Sequence, residues 1–117
     1  MKKLAIGVDV GGTNTVAGIV DAEGNVLVKG SISTPKHGDA AKYIKELADS
    51  IKDMIKNVKS LNPDSEILGI GTGAPNANYY KGTIEHATNL SFKGIIPFID
   101  LLRAQFPELK YLALTND

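Results

Sequence analysis

The sequence predicts an α/β fold, a mixed β-sheet covered by helices, and three features carry that expectation. Apolar runs 4–8 and 16–20 flank Asp9-Val10-Gly11-Gly12-Thr13-Asn14-Thr15, so two adjacent glycines fall at the tip of a β-hairpin. Between residues 39 and 58, Ile44, Leu47, Ala48, Ile51, Met54, Ile55 and Val58 recur at the spacing of one helical face. The order strand, strand, strand, helix, strand, helix, strand then implies a mixed sheet with helices packed on it.

Each element can be justified in turn. Met1-Lys2-Lys3 leads into the first apolar run, which Asp9 interrupts; no small-residue cleavage site follows, so the run reads as a buried first strand rather than a leader. After the hairpin, Asp21-Ala22-Glu23-Gly24-Asn25 is a turn, and strand character resumes over 26–33 until Pro35 stops it. Three strands therefore come first, as a meander. The helix of 39–58 presents Lys and Asp on its other face, and Asn62-Pro63-Asp64 turns the chain. Ile67-Leu68-Gly69-Ile70 is a short buried strand running into Gly71-Thr72-Gly73-Ala74-Pro75-Asn76. The polar stretch 78–91, with β-prone Tyr79 and Tyr80, is a loop or small hairpin. Pro97 suits a first helical position, Phe98, Leu101, Leu102 and Phe106 share one side, and Pro107 ends that helix. Residues 111–114 form the last strand, with Thr115-Asn116-Asp117 at its carboxyl end.

Composition narrows the class of partner. At 117 residues the chain is one domain that buries roughly two thirds of its unfolded surface. The absence of cysteine excludes disulfides and thiolate metal sites, and a reducing cytoplasm is the expected setting. Thirteen basic and thirteen acidic residues are scattered, which argues against a nucleic-acid or membrane partner and for a small one. No apolar run approaches the length that crosses a bilayer.

The hairpin carries the chemistry. Adjacent glycines let backbone N–H groups approach an anion, Thr13 and Thr15 offer hydroxyl donors, and Asp9 can hold a metal-bound water beside phosphates. The reading is a loop that handles a nucleotide triphosphate. Other glycine-rich phosphate loops open onto a helix, whereas a strand follows here; the Gly-Lys-Ser/Thr ending and the third glycine of the dinucleotide fingerprint are both absent. A Gly-Gly hairpin is also commonly just a turn. Equally, Gly71-Thr72-Gly73 can be a tight strand exit, Asn89 a turn cap, Asp117 a solvated carboxylate, and Tyr79 and Tyr80 either a sugar platform or a hairpin surface. His37 and His86 have no partners at metal-ligand spacing and read as structural or exposed.

Residues 9–15, 71–76, Ala87-Thr88-Asn89-Leu90 and the closing Asn116-Asp117 together resemble the N-terminal lobe of ROK-family, glucokinase-like sugar kinases in the actin-like ATPase superfamily. The resemblance implies a ribonuclease H-like lobe with a five-stranded mixed sheet flanked by helices, and ATP held between this lobe and a C-terminal one absent from residues 1–117. Carried over, Asp117 would be the general base that takes the proton from a sugar hydroxyl. Gly73, Ala74, Pro75, Thr88, Asn89 and Asn116 would line the sugar pocket. Gly11, Gly12, Thr13 and Asn14 would face the phosphates, with Asp9 near Mg2+ through water. Asn14 stands where relatives often carry Lys, and Phe92 where a Trp is common.

The implied function is ATP-dependent phosphorylation of a hexose or N-acetylhexosamine, with the isolated chain inactive and a homodimer plausible for the intact protein. The alternatives are a non-catalytic sugar-binding module and a fragment of a ROK-type sugar-responsive regulator. The chain begins at its first strand, which leaves no expected room for a DNA reader. Activator-type N-acetylglucosamine kinases share the Gly-Gly-Thr hairpin, but the Gly-Ala-Pro-Asn and Asn-Asp pairings favour the ROK pattern.

Overall fold

A computed structural model describes residues 2–35, 39–85 and 94–116. In β1 (Lys2–Val10), Leu4, Ile6, Val8 and Val10 are buried while Ala5, Gly7 and Asp9 on the opposite face are exposed. This is the period-two alternation of a half-covered strand. It is followed by β2 (Asn14–Asp21) and β3 (Val26–Ser33), each antiparallel to its predecessor, which makes the expected meander.

Helix α1 (Ala40–Leu61) starts at Asp39, whose carboxylate accepts the Ala41 N–H at 2.9 Å. It buries Tyr43, Ile44, Leu47, Ala48, Ile51, Met54 and Val58, so the expected stripe extends one step back to Tyr43. The helix outruns its predicted end because Leu61 is exposed and adds no periodic signal. Strand β4 (Ser65–Ala74) follows and is parallel to β1. It is longer than the predicted 67–70: Gly71 and Gly73 hide its alternation, and pairing on both edges holds it extended.

The polar stretch then forms a hairpin of β5 (Ala77–Asn78) and β6 (Thr83–Glu85), to which β7 (Ile95–Ile96) adds a third short strand. Asn78 organises the turn, its side-chain carbonyl accepting the N–H groups of Tyr80 and Lys81. Helix α2 (Phe98–Gln105) begins one residue after Pro97, which occupies the cap rather than the first turn. The Arg103 guanidinium ties its carboxyl end to the carbonyls of Phe106 and Leu109. The chain closes with β8 (Tyr111–Asn116), parallel to β4 and two residues longer than predicted.

The main sheet has five strands in the order β3-β2-β1-β4-β8. Its β1 face that carries Leu4, Ile6, Val8 and Val10 packs with α1 and α2 into one core that includes Phe98, Leu102 and Phe106. Across the other face, the register aligns Lys29, Gly18, Gly7, Gly71 and Ala113 in a row. The missing side chains leave a shallow, mostly apolar groove of about 370 Å³ there. No helix among the described residues is long and apolar enough to cross a membrane.

Candidate functional site

The parallel strands β1, β4 and β8 all end at the same edge of the sheet. Pairing of Asp9 with Gly73, and of Gly73 with Thr115, sets these three in one row, and Ala74 with Asn116 in the next. With neighbouring strands about 4.8 Å apart, Asp9 and Thr115 lie about 10 Å from each other. Ligands of open parallel sheets bind beyond such carboxyl ends.

At the end of β1 the Gly11 N–H donates to the Asn14 carbonyl at 3.0 Å and closes the hairpin. A Cβ on Gly11 would sit 2.9 Å from that carbonyl oxygen, so any larger residue would force the turn to shift. Gly12 and Thr13 are exposed, and their N–H groups have no hydrogen-bond partner among the described residues. Asn14 opens β2, exposed on the face that carries Asp9. The Asp9 carboxylate is likewise exposed, lines the groove beside Gly7 and Gly71, and has no partner among the described residues.

Thr15 does not join this group. It was expected to offer its hydroxyl to phosphate, but strand alternation turns it to the helix-covered face, where it is 1% exposed. Its Oγ1 bonds the Tyr43 hydroxyl and, at 2.8 Å, Thr34 Oγ1. Thr34 in turn donates its hydroxyl to the Gly11 carbonyl at 2.8 Å and its N–H to the Thr13 carbonyl at 2.8 Å. Burial pushes the Tyr43 phenol above its usual 10.0, against the hydrogen bonds to Thr15 and Thr34, so it stays protonated. Tyr43 and Thr34 escaped the sequence reading; extending the helical stripe from Leu47 back by four residues would have found Tyr43.

On β4, Gly73 and Pro75 are half-buried, whereas the Ala74 methyl is fully buried, leaving only its backbone to a ligand. Asn76 turns the chain out of the strand with φ of 54°, a conformation that asparagine tolerates. Its carbonyl then accepts the Glu85 N–H at 2.9 Å, and the chain enters the small sheet. Asn116 is exposed at the end of β8. Thr88, Asn89, Asp117, His37, His86 and Phe92 lie outside the described residues.

No group of three or more His, Asp or Glu side chains capable of holding a metal occurs among the described residues. A lone carboxylate beside exposed backbone amides fits the needs of magnesium, which keeps several waters and takes one or two carboxylates plus phosphate oxygens.

A sequence model of the ROK family matches residues 5–109. A glucokinase of Streptomyces coelicolor is 33% identical over 91 residues, which cover 77% of this chain and 26% of that protein. The chain thus spans about a quarter of the length of the curated relatives it matches. A ROK family glucokinase from Streptomyces griseus, solved with glucose and AMPPNP, matches 97% of this chain and 33% of its own, with TM-score 0.69 and 24% identity. A ROK family transcriptional regulator, homolog of the E. coli MLC protein, matches 98% of this chain and 28% of its own, with TM-score 0.77 and 14% identity. The fold, a five-stranded mixed sheet flanked by helices, is shared with these solved proteins, as the sequence leads one to expect.

Proposed function

The chain belongs to the ROK family, and from that premise we propose that residues 1–117 form the N-terminal lobe of an ATP-dependent sugar kinase acting on a hexose or N-acetylhexosamine hydroxyl. One observation carries the reading. The amides of Gly12 and Thr13 and the Asp9 carboxylate, without partners among the described residues, lie at the carboxyl edge of the sheet, where Asp9 shares a row with Gly73 and Thr115 and Asn116 stands in the next. That edge offers donors for phosphate on one side and polar groups for a sugar about 10 Å away.

In this reading Gly11, Gly12, Thr13 and Asn14 cradle the phosphates of ATP. Asp9 holds Mg2+ through a water, and the ion, when bound, neutralises charge on the phosphate oxygens. Gly73, the Ala74 backbone, Pro75, Thr88, Asn89 and Asn116 orient the sugar. Asp117 accepts the proton of the attacking hydroxyl as its oxygen bonds to the γ-phosphorus and the bond to ADP breaks, a step governed by positioning. The remaining nucleotide and sugar contacts come from a C-terminal lobe, and the setting is the cytoplasm. The 33% identical glucokinase supports an enzyme, and the solved glucokinase with glucose and AMPPNP supports both ligands.

A ROK regulator shares the fold, which favours a second, sugar-sensing reading at the level of architecture. The two separate in one assay. The native protein that contains this lobe, given ATP, magnesium and a panel of hexoses and N-acetylhexosamines, is expected to form a sugar phosphate, while residues 1–117 alone form none. Sugar binding without phosphorylation would favour the regulator or binding-module reading.

A further inference from the structure

The buried hydroxyls beneath the hairpin have a fixed direction. Thr34 has one hydroxyl proton, and it goes to the Gly11 carbonyl, which cannot donate. In the 2.8 Å contact between Thr15 and Thr34, the donor must therefore be Thr15. That commits the one proton of Thr15, so in its contact with Tyr43 the phenol is the donor. Donation runs one way, from Tyr43 into Thr15 and Thr34, from Thr15 to Thr34, and from Thr34 to the Gly11 carbonyl, through residues that are 3%, 1% and 3% exposed.

The far end of this chain faces the anion site. In a trans peptide the N–H of one residue points opposite to the preceding carbonyl. A Gly11 carbonyl drawn inward by Thr34 thus turns the Gly12 N–H outward, and Gly12 is exposed with that N–H unpartnered among the described residues. The second bond from Thr34, its N–H to the Thr13 carbonyl, pins the other side of the turn. Glycine peptides have the widest conformational freedom, so a turn of two glycines needs such an anchor to keep its amides aimed.

We propose that Tyr43, Thr15 and Thr34 form a one-way hydroxyl chain that holds the Gly11–Gly12 peptide with its N–H outward, making Thr34 and Tyr43 positioning residues for phosphate. The inference rests on the phosphate-binding reading of the hairpin. Neither residue touches the anion; both act through the orientation of a peptide bond.

The test uses the 117-residue chain labelled for NMR, with pyrophosphate as the probe, and compares the native sequence with Thr34→Val, Thr34→Ser and Tyr43→Phe. Pyrophosphate is expected to move the Gly12 and Thr13 amide signals. Thr34→Val should weaken that binding about tenfold, the equivalent of one hydrogen bond to a charged group, and Tyr43→Phe should weaken it less. Thr34→Ser, which keeps the hydroxyl, should restore it. Without any ligand, Thr34→Val should also shift the Gly11 carbonyl carbon and loosen the Gly12 amide, again with rescue by serine. A merely structural threonine would lower the melting temperature but leave the folded chain's affinity intact, and that result overturns the proposal. If Thr34→Val fails to fold, the same readouts in Tyr43→Phe decide, native values at Gly11 and Gly12 overturning it. If the native chain binds no pyrophosphate, the phosphate reading fails. The ligand-free signals of Gly11 and Gly12 then still decide whether the hydroxyl chain orients the turn.

Discussion

Gly11 and Asp21 show how single residues hold the first hairpin and its neighbouring turn. A methyl on Gly11 would press on the Asn14 carbonyl at 2.9 Å, and backbone cannot yield as a side-chain tip can. Gly11→Ala should cost about 1–3 kcal/mol in a denaturant titration and reduce pyrophosphate binding as well. Asp21 accepts the N–H groups of Asn25 and Glu23 and the Asn25 side-chain amide, and these bonds, Asn25 foremost, lower its pKa from 3.8 with Lys2 assisting. A lowered folded pKa means stability that is complete above the unfolded value and lost as pH falls through the folded one. The stability gap between the native chain and Asp21→Asn should therefore be constant above pH about 5 and shrink below about 4. A gap independent of pH down to about 2 would remove Asp21's charge from the account. Residues of this kind were only partly legible in the sequence. Asp9 and the glycines can be picked out as candidates by type and spacing, but Thr15 directly precedes the nearly unbroken apolar run Val16, Ala17, Gly18, Ile19, Val20, where no alternation shows which face a side chain takes.

Among the elements, α1 and β4 position the site. Ile51 is wholly buried in the middle of α1, and Ile51→Ala should cost about 2–5 kcal/mol, a large share of the 5–15 typical of a domain, as read by chemical unfolding. Strand β4 gains an extra residue opposite β1 between Leu4 and Ile6, and Gly69 lies in that irregularity. A Cβ there would fall 2.1 Å from the Tyr111 carbonyl, so Gly69→Ala should part β8 from β4. The expected signs are lost amide protection along β8 and a drop in melting temperature; unchanged protection would contradict the close approach. The long helix was legible because its stripe repeats several times, and the first strands because apolar runs are bounded by turn residues. The two- and three-residue strands β5, β6 and β7 were not, since so few residues carry no period; what shapes their turn is the Asn78 side chain and the positive φ of Gly82 against Ile99.

The described residues form a sheet with one helix-covered face, an opposite face that none of their helices covers, and a polar edge where three parallel strands end. The order of elements was enough to foresee this architecture, and the motifs at strand ends were enough to foresee the family. The assembly of the site was less legible, because lining up Asp9 with Gly73 and Thr115 depends on a register that includes the β4 irregularity. At this scale the proposed lobe should bind phosphate yet turn over no sugar by itself, since the chain spans about a quarter of its matched relatives. The most direct test of the central claim is steady-state kinetics of the complete native protein with ATP and its preferred sugar, comparing the native enzyme with Asp117→Asn. The account predicts a kcat lower by about 10²–10⁴ with sugar affinity kept within about tenfold, because a general base acts in the transition state. A variant that keeps its kcat and loses sugar binding would contradict it.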